Sequence, residues 1–302
     1  MKRVVQVPAG TTNLGAGFDA LGLALQLYLR IEIETSSDFR NEWVLMGEGA
    51  TELPAKEENL LWKVVRRVYE GEELPLPKVG FRIANEIPIA RGLGSSAAAI
   101  VGGLGCFEAL TERELSREKF FRYAFEFENH PDNLTTARFG GFTVSCVDEN
   151  QQVTFFRASM GSQLKILLTV PEFRLETERA RAVIPQHLNL RDAVSNIQRS
   201  SLAVAALLRS EFHFLREAMR DRIHQPCRAQ LIPGLEEILE LNHEEIPGLA
   251  GVCLSGAGPS VVAFAEDHLD GIYKRIAEIF NRHGIASRPF QLQVDNQGRK
   301  IY

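Results

Sequence analysis

Glycine and serine crowd one short stretch of this 302-residue chain, where residues 88–99 read Pro-Ile-Ala-Arg-Gly-Leu-Gly-Ser-Ser-Ala-Ala-Ala. Without a Cβ, Gly92 and Gly94 let backbone N–H groups turn inward around an anion. The small-residue run from Ala97 reads as a helix, whose first turn adds unpaired N–H groups and the positive end of a dipole. The hydroxyls of Ser95 and Ser96 can take phosphate oxygens or a metal ion. That combination suits a nucleoside triphosphate and makes phosphoryl transfer the first chemistry to consider. No Lys follows the glycines, so the G-x-x-x-x-G-K-S/T loop is excluded, and Gly-Leu-Gly-Ser-Ser-Ala is not the dinucleotide G-x-G-x-x-G. Taken alone, a capped tight turn explains the stretch equally well.

Three other segments carry polar groups in suggestive patterns. Residues 8–19, Pro-Ala-Gly-Thr-Thr-Asn-Leu-Gly-Ala-Gly-Phe-Asp, hold Asn13 and Asp19 in a glycine-rich stretch that is long for a plain strand connection. Residues 126–133, Glu-Phe-Glu-Asn-His-Pro-Asp-Asn, crowd the end of a helix. Carboxylates there offer hard oxygens to Mg²⁺. Acids at a helix C-terminus oppose its dipole, so ordinary capping explains them poorly. Residues 254–260, Leu-Ser-Gly-Ala-Gly-Pro-Ser, form a glycine turn between apolar runs, which a tight hairpin explains as well as function does.

In order and spacing, these segments from Pro8 to Ser260 resemble the motifs of the GHMP kinases, named for galactokinase, homoserine, mevalonate and phosphomevalonate kinases. Asn-Leu-Gly-Ala-Gly-Phe-Asp over 13–19, and His130-Pro131-Asp132-Asn133 followed by Gly140-Gly141-Phe142, have the form of the homoserine-phosphorylating branch. The resemblance implies an α+β, two-domain fold. An N-terminal α/β domain with a left-handed-crossover type of sheet would span 1–160, and a ferredoxin-like C-terminal domain 161–302. It implies ATP-dependent phosphorylation of the L-homoserine hydroxyl to O-phospho-L-homoserine, a step of threonine biosynthesis. Another small alcohol, such as mevalonate or a sugar, is the alternative acceptor. A catalytically silent nucleotide-binding regulator is disfavoured, because Glu126 and both serines are present. ATP and Mg²⁺ are the expected cofactors, and a homodimer the expected assembly.

The resemblance also implies roles. Pro88, Ile89, Ala90, Arg91, Gly92, Leu93, Gly94, Ser95, Ser96, Ala97 and Ala98 would bind ATP. Ser96 and Glu126 would hold Mg²⁺, with Glu128 as the alternative to Glu126. Asn13, Asp19, His130, Asp132, Asn133, Thr177, Arg181 and Arg228 would bind the acceptor, Arg228 clamping its carboxylate through a bidentate fork. Asp132, Asn133 and Arg181 would be catalytic. Either Asp132 or Asp19 could take the hydroxyl proton, and a loose transition state also permits transfer without a protein base. The chain departs from the family pattern at Gly10-Thr11-Thr12, Asn129 and Cys227.

The elements that must position these groups follow from periodicity. Residues 2–7, 23–34 and 79–89 read as strands, the last feeding the glycine loop. Helices are expected over 59–69, capped by Asn59, over 96–110, and over 116–128, capped by Ser116. The helix over 96–110 is so rich in Ala and Gly that it must pack very close to something. Pro131 is expected to break the third helix, and Gly140-Gly141 to open a hairpin over 141–147 and 152–157. A boundary is expected at 158–162. Beyond it come a strand (164–170), helices (190–209, 212–223, 235–241), strands (251–255, 260–265), a helix (269–281) and a strand (287–294). No internal repeat or low-complexity segment is evident.

Composition narrows the class. The chain is 45% hydrophobic and 24% charged, enough for a substantial core. A net charge of −5 gives no electrostatic reason to expect nucleic acid or an anionic membrane as partner. The cysteines, Cys106, Cys146, Cys227 and Cys253, form no C-x-x-C pair, which disfavours a zinc knuckle or redox motif. No secretory h-region follows Met1, and no apolar run reaches membrane-spanning length, so a reduced cytoplasmic setting is expected.

Overall fold

In this computed structural model, residues 2–35, 42–242 and 244–302 are described. Alternation of apolar and polar residues makes β1 (Lys2–Thr12) and β2 (Leu21–Glu34) a long antiparallel pair. β2 serves two more neighbours. Its start pairs with β5 (Phe142–Val147), and its end with β4 (Gly80–Asn85), which runs parallel to β3 (Trp43–Gly47). The crossover between these parallel strands runs through α1 (Leu60–Gly71), whose N-cap Asn59 accepts a bond from Leu61 N as the sequence predicts. β4 (Gly80–Asn85) then leads through the glycine loop into α2 (Ser95–Thr111).

α2 is buried along most of its length, and its small residues are the reason it fits. A Cβ on Gly103 would lie 2.8 Å from Val64 Cβ and 2.9 Å from the Leu61 carbonyl of α1. One on Gly102 would lie 2.7 Å from Ile31 of β2. α3 (Arg117–Phe125) is capped by Ser116, which accepts from Lys119 N. Pro131 does not break this helix, which ends at Phe125, short of the expected 128. It opens a new one, α4 (Pro131–Phe139), at a first-turn position where a missing N–H costs nothing. β5 (Phe142–Val147) and β6 (Val153–Ala158) complete the first sheet as a hairpin.

The second sheet is built from β7 (Lys165–Pro171), then α5 (Thr177–Ala182), α6 (Leu190–Arg209), α7 (Leu215–Ala218), α8 (Gln225–Ala229) and α9 (Leu235–Leu239), then the hairpin β8 (Leu249–Leu254) and β9 (Val261–Ala265), then α10 (Leu269–Arg282) and β10 (Ser287–Leu292). Its strand order, β10-β7-β9-β8, is antiparallel throughout, which is the ferredoxin-like arrangement. β7 is buried on both faces. Ile166, Leu168 and Val170 join the larger core and Leu167 the smaller one. The helix expected over 212–223 is only a short turn followed by α7, and residues beyond 219 fold into a polar loop.

The chain's end corrects the expected split at 161–302. β11 (Lys300–Ile301) pairs with β1 of the first sheet, and Val294 bridges to Leu25 of β2. Arg299 is buried there against Glu108 of α2. The last residues therefore lock onto the first sheet instead of remaining with the second.

Candidate active site

The three glycine-rich segments meet in one cleft of about 380 Å³. Gly256 N donates to the Thr12 carbonyl at 3.1 Å, Gly10 N to the Leu93 carbonyl at 3.1 Å, and Ser255 Oγ to the Gly92 carbonyl at 2.8 Å. Ala90, Gly92 and Gly94 all adopt positive φ, at 52°, 76° and 68°. At Gly92 no side chain fits, since a Cβ would lie 2.1 Å from the Ser255 carbonyl oxygen. The loop ends at the N-terminus of α2, where no side chain caps the first amides. These amides, the glycine loop and the Ser95 and Ser96 side chains line the cleft, so the residues present fit a polyphosphate.

Leu29, Leu45, Leu53, Leu60, Ile83 and Ile89 make one end of the cleft apolar. The opposite end is strongly polar. Asn13 receives a bond from Asp19 N at 2.9 Å and donates to the Gly256 carbonyl at 2.9 Å, which fixes the turn at positive φ. Both Asp19 carboxylate oxygens lie 2.8 Å from Arg181 Nη2. Arg228 is buried, with Nε donating to the Ala180 carbonyl at 3.2 Å and Nη1 to the Gly256 carbonyl at 2.9 Å. Burial, with the like charge of Arg181, pulls its pKa down to about 10, so it stays cationic at neutral pH. The guanidiniums of Arg181 and Arg228 both stand over the Phe18 ring, at 5.3 and 5.5 Å from its centre.

Asp132 sits in the first turn of α4, where the helix dipole favours negative charge. Its Oδ1 accepts from Asn133 Nδ2 at 3.3 Å, and its Oδ2 is buried with no hydrogen-bond partner among the described residues. Burial, and secondarily the charge of Asp19, pushes its pKa up to about 7. His130 Nδ1 bonds Glu128 Oε1. Burial alone would lower the His130 pKa, but its hydrogen bond to Glu128 and the charge there raise it overall.

Asn13, Asp19, His130, Asp132, Asn133, Thr177, Arg181 and Arg228 all line the cleft, as do 89–97 of the glycine stretch. Pro88 and Ala98 do not, being buried behind the loop. Glu126 is a correction. Arg67 holds its carboxylate bidentate, Nε to Oε2 at 2.6 Å and Nη2 to Oε1 at 2.9 Å, outside the cleft lining. Glu128, two residues on, is the carboxylate that faces inward. Phe18, His224 and the apolar end were not singled out from sequence. Phe18 lies inside the segment 8–19 already quoted and His224 four residues before Arg228, whereas the apolar lining reads like any core strand.

The family profile described as GHMP kinases N terminal domain matches residues 59–141, and the one described as GHMP kinases C terminal matches 203–282. The chain belongs to the GHMP kinases. A homoserine kinase of Aquifex aeolicus is 38% identical to this GHMP kinase, the alignment covering 99% of each chain. One of Persephonella marina is also 38% identical, over 98% of this chain and 97% of that relative. A homoserine kinase from Cytophaga hutchinsonii, solved by crystallography, superposes with a TM-score of 0.85 over 100% of this chain and 97% of its own, at 24% identity. At that identity the likeness shows the fold alone. Among the described residues, no helix of this GHMP kinase is long and apolar enough to cross a membrane.

Proposed function

We propose that this GHMP kinase transfers the γ-phosphoryl group of ATP to the side-chain hydroxyl of L-homoserine, in the cytoplasm and as a homodimer. The observation that carries this reading is the polar end of the cleft. Two guanidiniums, Arg181 and Arg228, face one carboxylate, Asp19, beside Asp132, whose Oδ2 has no partner among the described residues. An amino acid brings a carboxylate for the arginines and an ammonium for Asp19. Mevalonate could use the arginines but has no ammonium to offer Asp19. The existing Asp19–Arg181 pair is no obstacle. Both side chains are more than a third exposed, so the pair is worth at most about 1 kcal/mol and opens readily.

The nucleotide base fits the apolar end, and the triphosphate lies along the glycine loop toward the N-terminus of α2. Mg²⁺, held by Ser96 and Glu128 with phosphate oxygens completing its shell, would neutralise charge on the β- and γ-phosphates. Arg228 and Arg181 orient the acceptor so that its hydroxyl lies in line with the γ-phosphorus. Asp132 Oδ2 accepts the hydroxyl proton as the new bond forms, and a pKa near neutrality suits a group that must be unprotonated before the step and protonated after it. Asn133 and Arg181 hold charge and orientation around the transferring group. His130, Asn13 and Thr177 shape the acceptor pocket.

ATP consumption measured with homoserine, mevalonate, galactose and shikimate tests the reading. Homoserine is expected to be the preferred acceptor, with O-phosphohomoserine as product. Faster turnover of mevalonate or a sugar would overturn it.

A further inference from the structure

Behind the acceptor end lies a buried polar cluster that the chemistry above does not use. His224 is fully buried just before α8. Its Nε2 lies 2.8 Å from the Gly15 carbonyl oxygen, and its Nδ1 3.2 Å from Arg228 Nη1. A carbonyl only accepts, so Nε2 must carry the proton. A guanidinium only donates, so Nδ1 must carry the lone pair. The ring is therefore the neutral Nε2–H tautomer, the form that burial itself favours.

The ring cannot easily move. It stacks on Phe18 with centroids 5.1 Å apart and planes at 21°. Its backbone N–H donates to Asp221 Oδ2 at 2.7 Å, and Asn196 of α6 donates to Asp221 Oδ1 at 2.6 Å. Arg228 is thus held at Nε by Ala180 and at Nη1 by Gly256 and His224. Its Nη2 has no protein acceptor among the described residues, although Arg228 lines the cleft.

We propose that His224 is the positioning residue of the carboxylate clamp: its Nδ1 lone pair fixes Arg228 Nη1 so that Nη2 is presented to the acceptor's carboxylate, and its stack holds the Phe18 ring under both guanidiniums. The inference rests on the reading of Arg228 given above. Without the Nδ1 acceptor, the guanidinium keeps its charge but loses the orientation that presents Nη2; with Nε and Nη1 already engaged, Nη2 alone meets the carboxylate, which corrects the bidentate fork expected from sequence.

The test separates the two ring nitrogens. In His224→Asn the amide oxygen sits near the place of Nδ1 and can still accept from Arg228. In His224→Gln the amide nitrogen reaches toward Gly15, but nothing accepts at the Nδ1 position. KM for homoserine and for ATP would be measured in the full-length protein for both variants and for Arg228→Ala, with melting curves as a check on folding. The Gln variant is expected to raise the homoserine KM about tenfold or more, with ATP KM within about twofold, and the Asn variant to stay within about threefold of wild type. If Arg228→Ala weakens homoserine but Gln behaves like Asn or like wild type, or weakens ATP equally, the positioning role is overturned and the clamp stands. If Arg228→Ala leaves homoserine unaffected, the clamp itself is wrong. A second measurement needs no variant. Nitrogen-15 NMR of the wild-type imidazoles at neutral pH should show His224 as the neutral Nε2–H tautomer, and an Nδ1–H tautomer or an imidazolium would overturn the proposal.

Discussion

Glu126 and Glu128 stand two residues apart, yet only Glu128 faces the cleft, because Arg67 holds both oxygens of its neighbour. Sequence could place a carboxylate near the phosphates but could not choose between them, since the choice depends on an arginine on α1. Ser96→Ala and Glu128→Ala should each lower kcat, by about 2–4 kcal/mol of transition-state stabilisation, with little change in homoserine KM. Glu126→Ala should leave kcat within about threefold and remove only a partly exposed ion pair worth at most about 1 kcal/mol. Steady-state kinetics on the three variants check this, and a kcat collapse in Glu126→Ala would restore the discarded ligand. Asp132 yields a pH prediction. Below about 7 its carboxyl is protonated and cannot take the hydroxyl proton, so kcat/KM for homoserine should rise as pH increases through that value. Asp132→Asn should abolish that limb and lower kcat by about 10²–10⁴. The sign for stability is opposite. The folded protein keeps a proton to about 7 that the unfolded chain releases near 3.8, so this contribution is whole below 3.8 and lost as pH rises through about 7. Denaturant titrations of Asp132→Asn should therefore show a flatter pH dependence between those values.

Elements with strong local signals were legible. α6 spans Leu190–Arg209, as its periodicity predicts, and the Asn59 and Ser116 caps are where their side chains can accept. α4 was not, because Pro131 reads equally as a breaker and as a first-turn residue, and only the bonds that follow decide. β3 was missed because its pairing is to β4, across the whole of α1. The close packing foreseen for α2 has a measurable consequence. Gly103→Ala gains about 1 kcal/mol of helix propensity but drives a Cβ to 2.8 Å from Val64 and 2.9 Å from the Leu61 carbonyl, so a net loss of about 1–3 kcal/mol is expected. The same substitution at Gly271, in α10, meets nothing within 4 Å and should stabilise by about 0.5–1 kcal/mol. Chemical denaturation of both variants checks the contrast, and equal signs would contradict it.

At the scale of the whole molecule, the least legible feature was the return of the C-terminus, since β11 has too few residues to carry a periodic signal. Its anchor is electrostatic, with Arg299 and Glu108 buried together beneath α2. Arg299→Met should cost about 3–5 kcal/mol by leaving a buried carboxylate unpaired, and adding Glu108→Gln should restore part of the loss. Thermal melts of the single and double variants check it, and additive losses would argue against the pair. Motif order shows that the distant glycine segments belong to one family pattern, but their meeting in one cleft and the chemistry of its two ends come from tertiary packing. That polar end is the centre of the account, and stripped acceptors test it most directly. 4-Hydroxybutyrate keeps the carboxylate and lacks the ammonium, and 3-amino-1-propanol keeps the ammonium and lacks the carboxylate. If Asp19 and the arginines each hold one end of the amino acid, kcat/KM for both should fall about a hundredfold or more below that for homoserine, since each leaves a charged site group unpaired. An analogue turned over as well as homoserine would contradict the account.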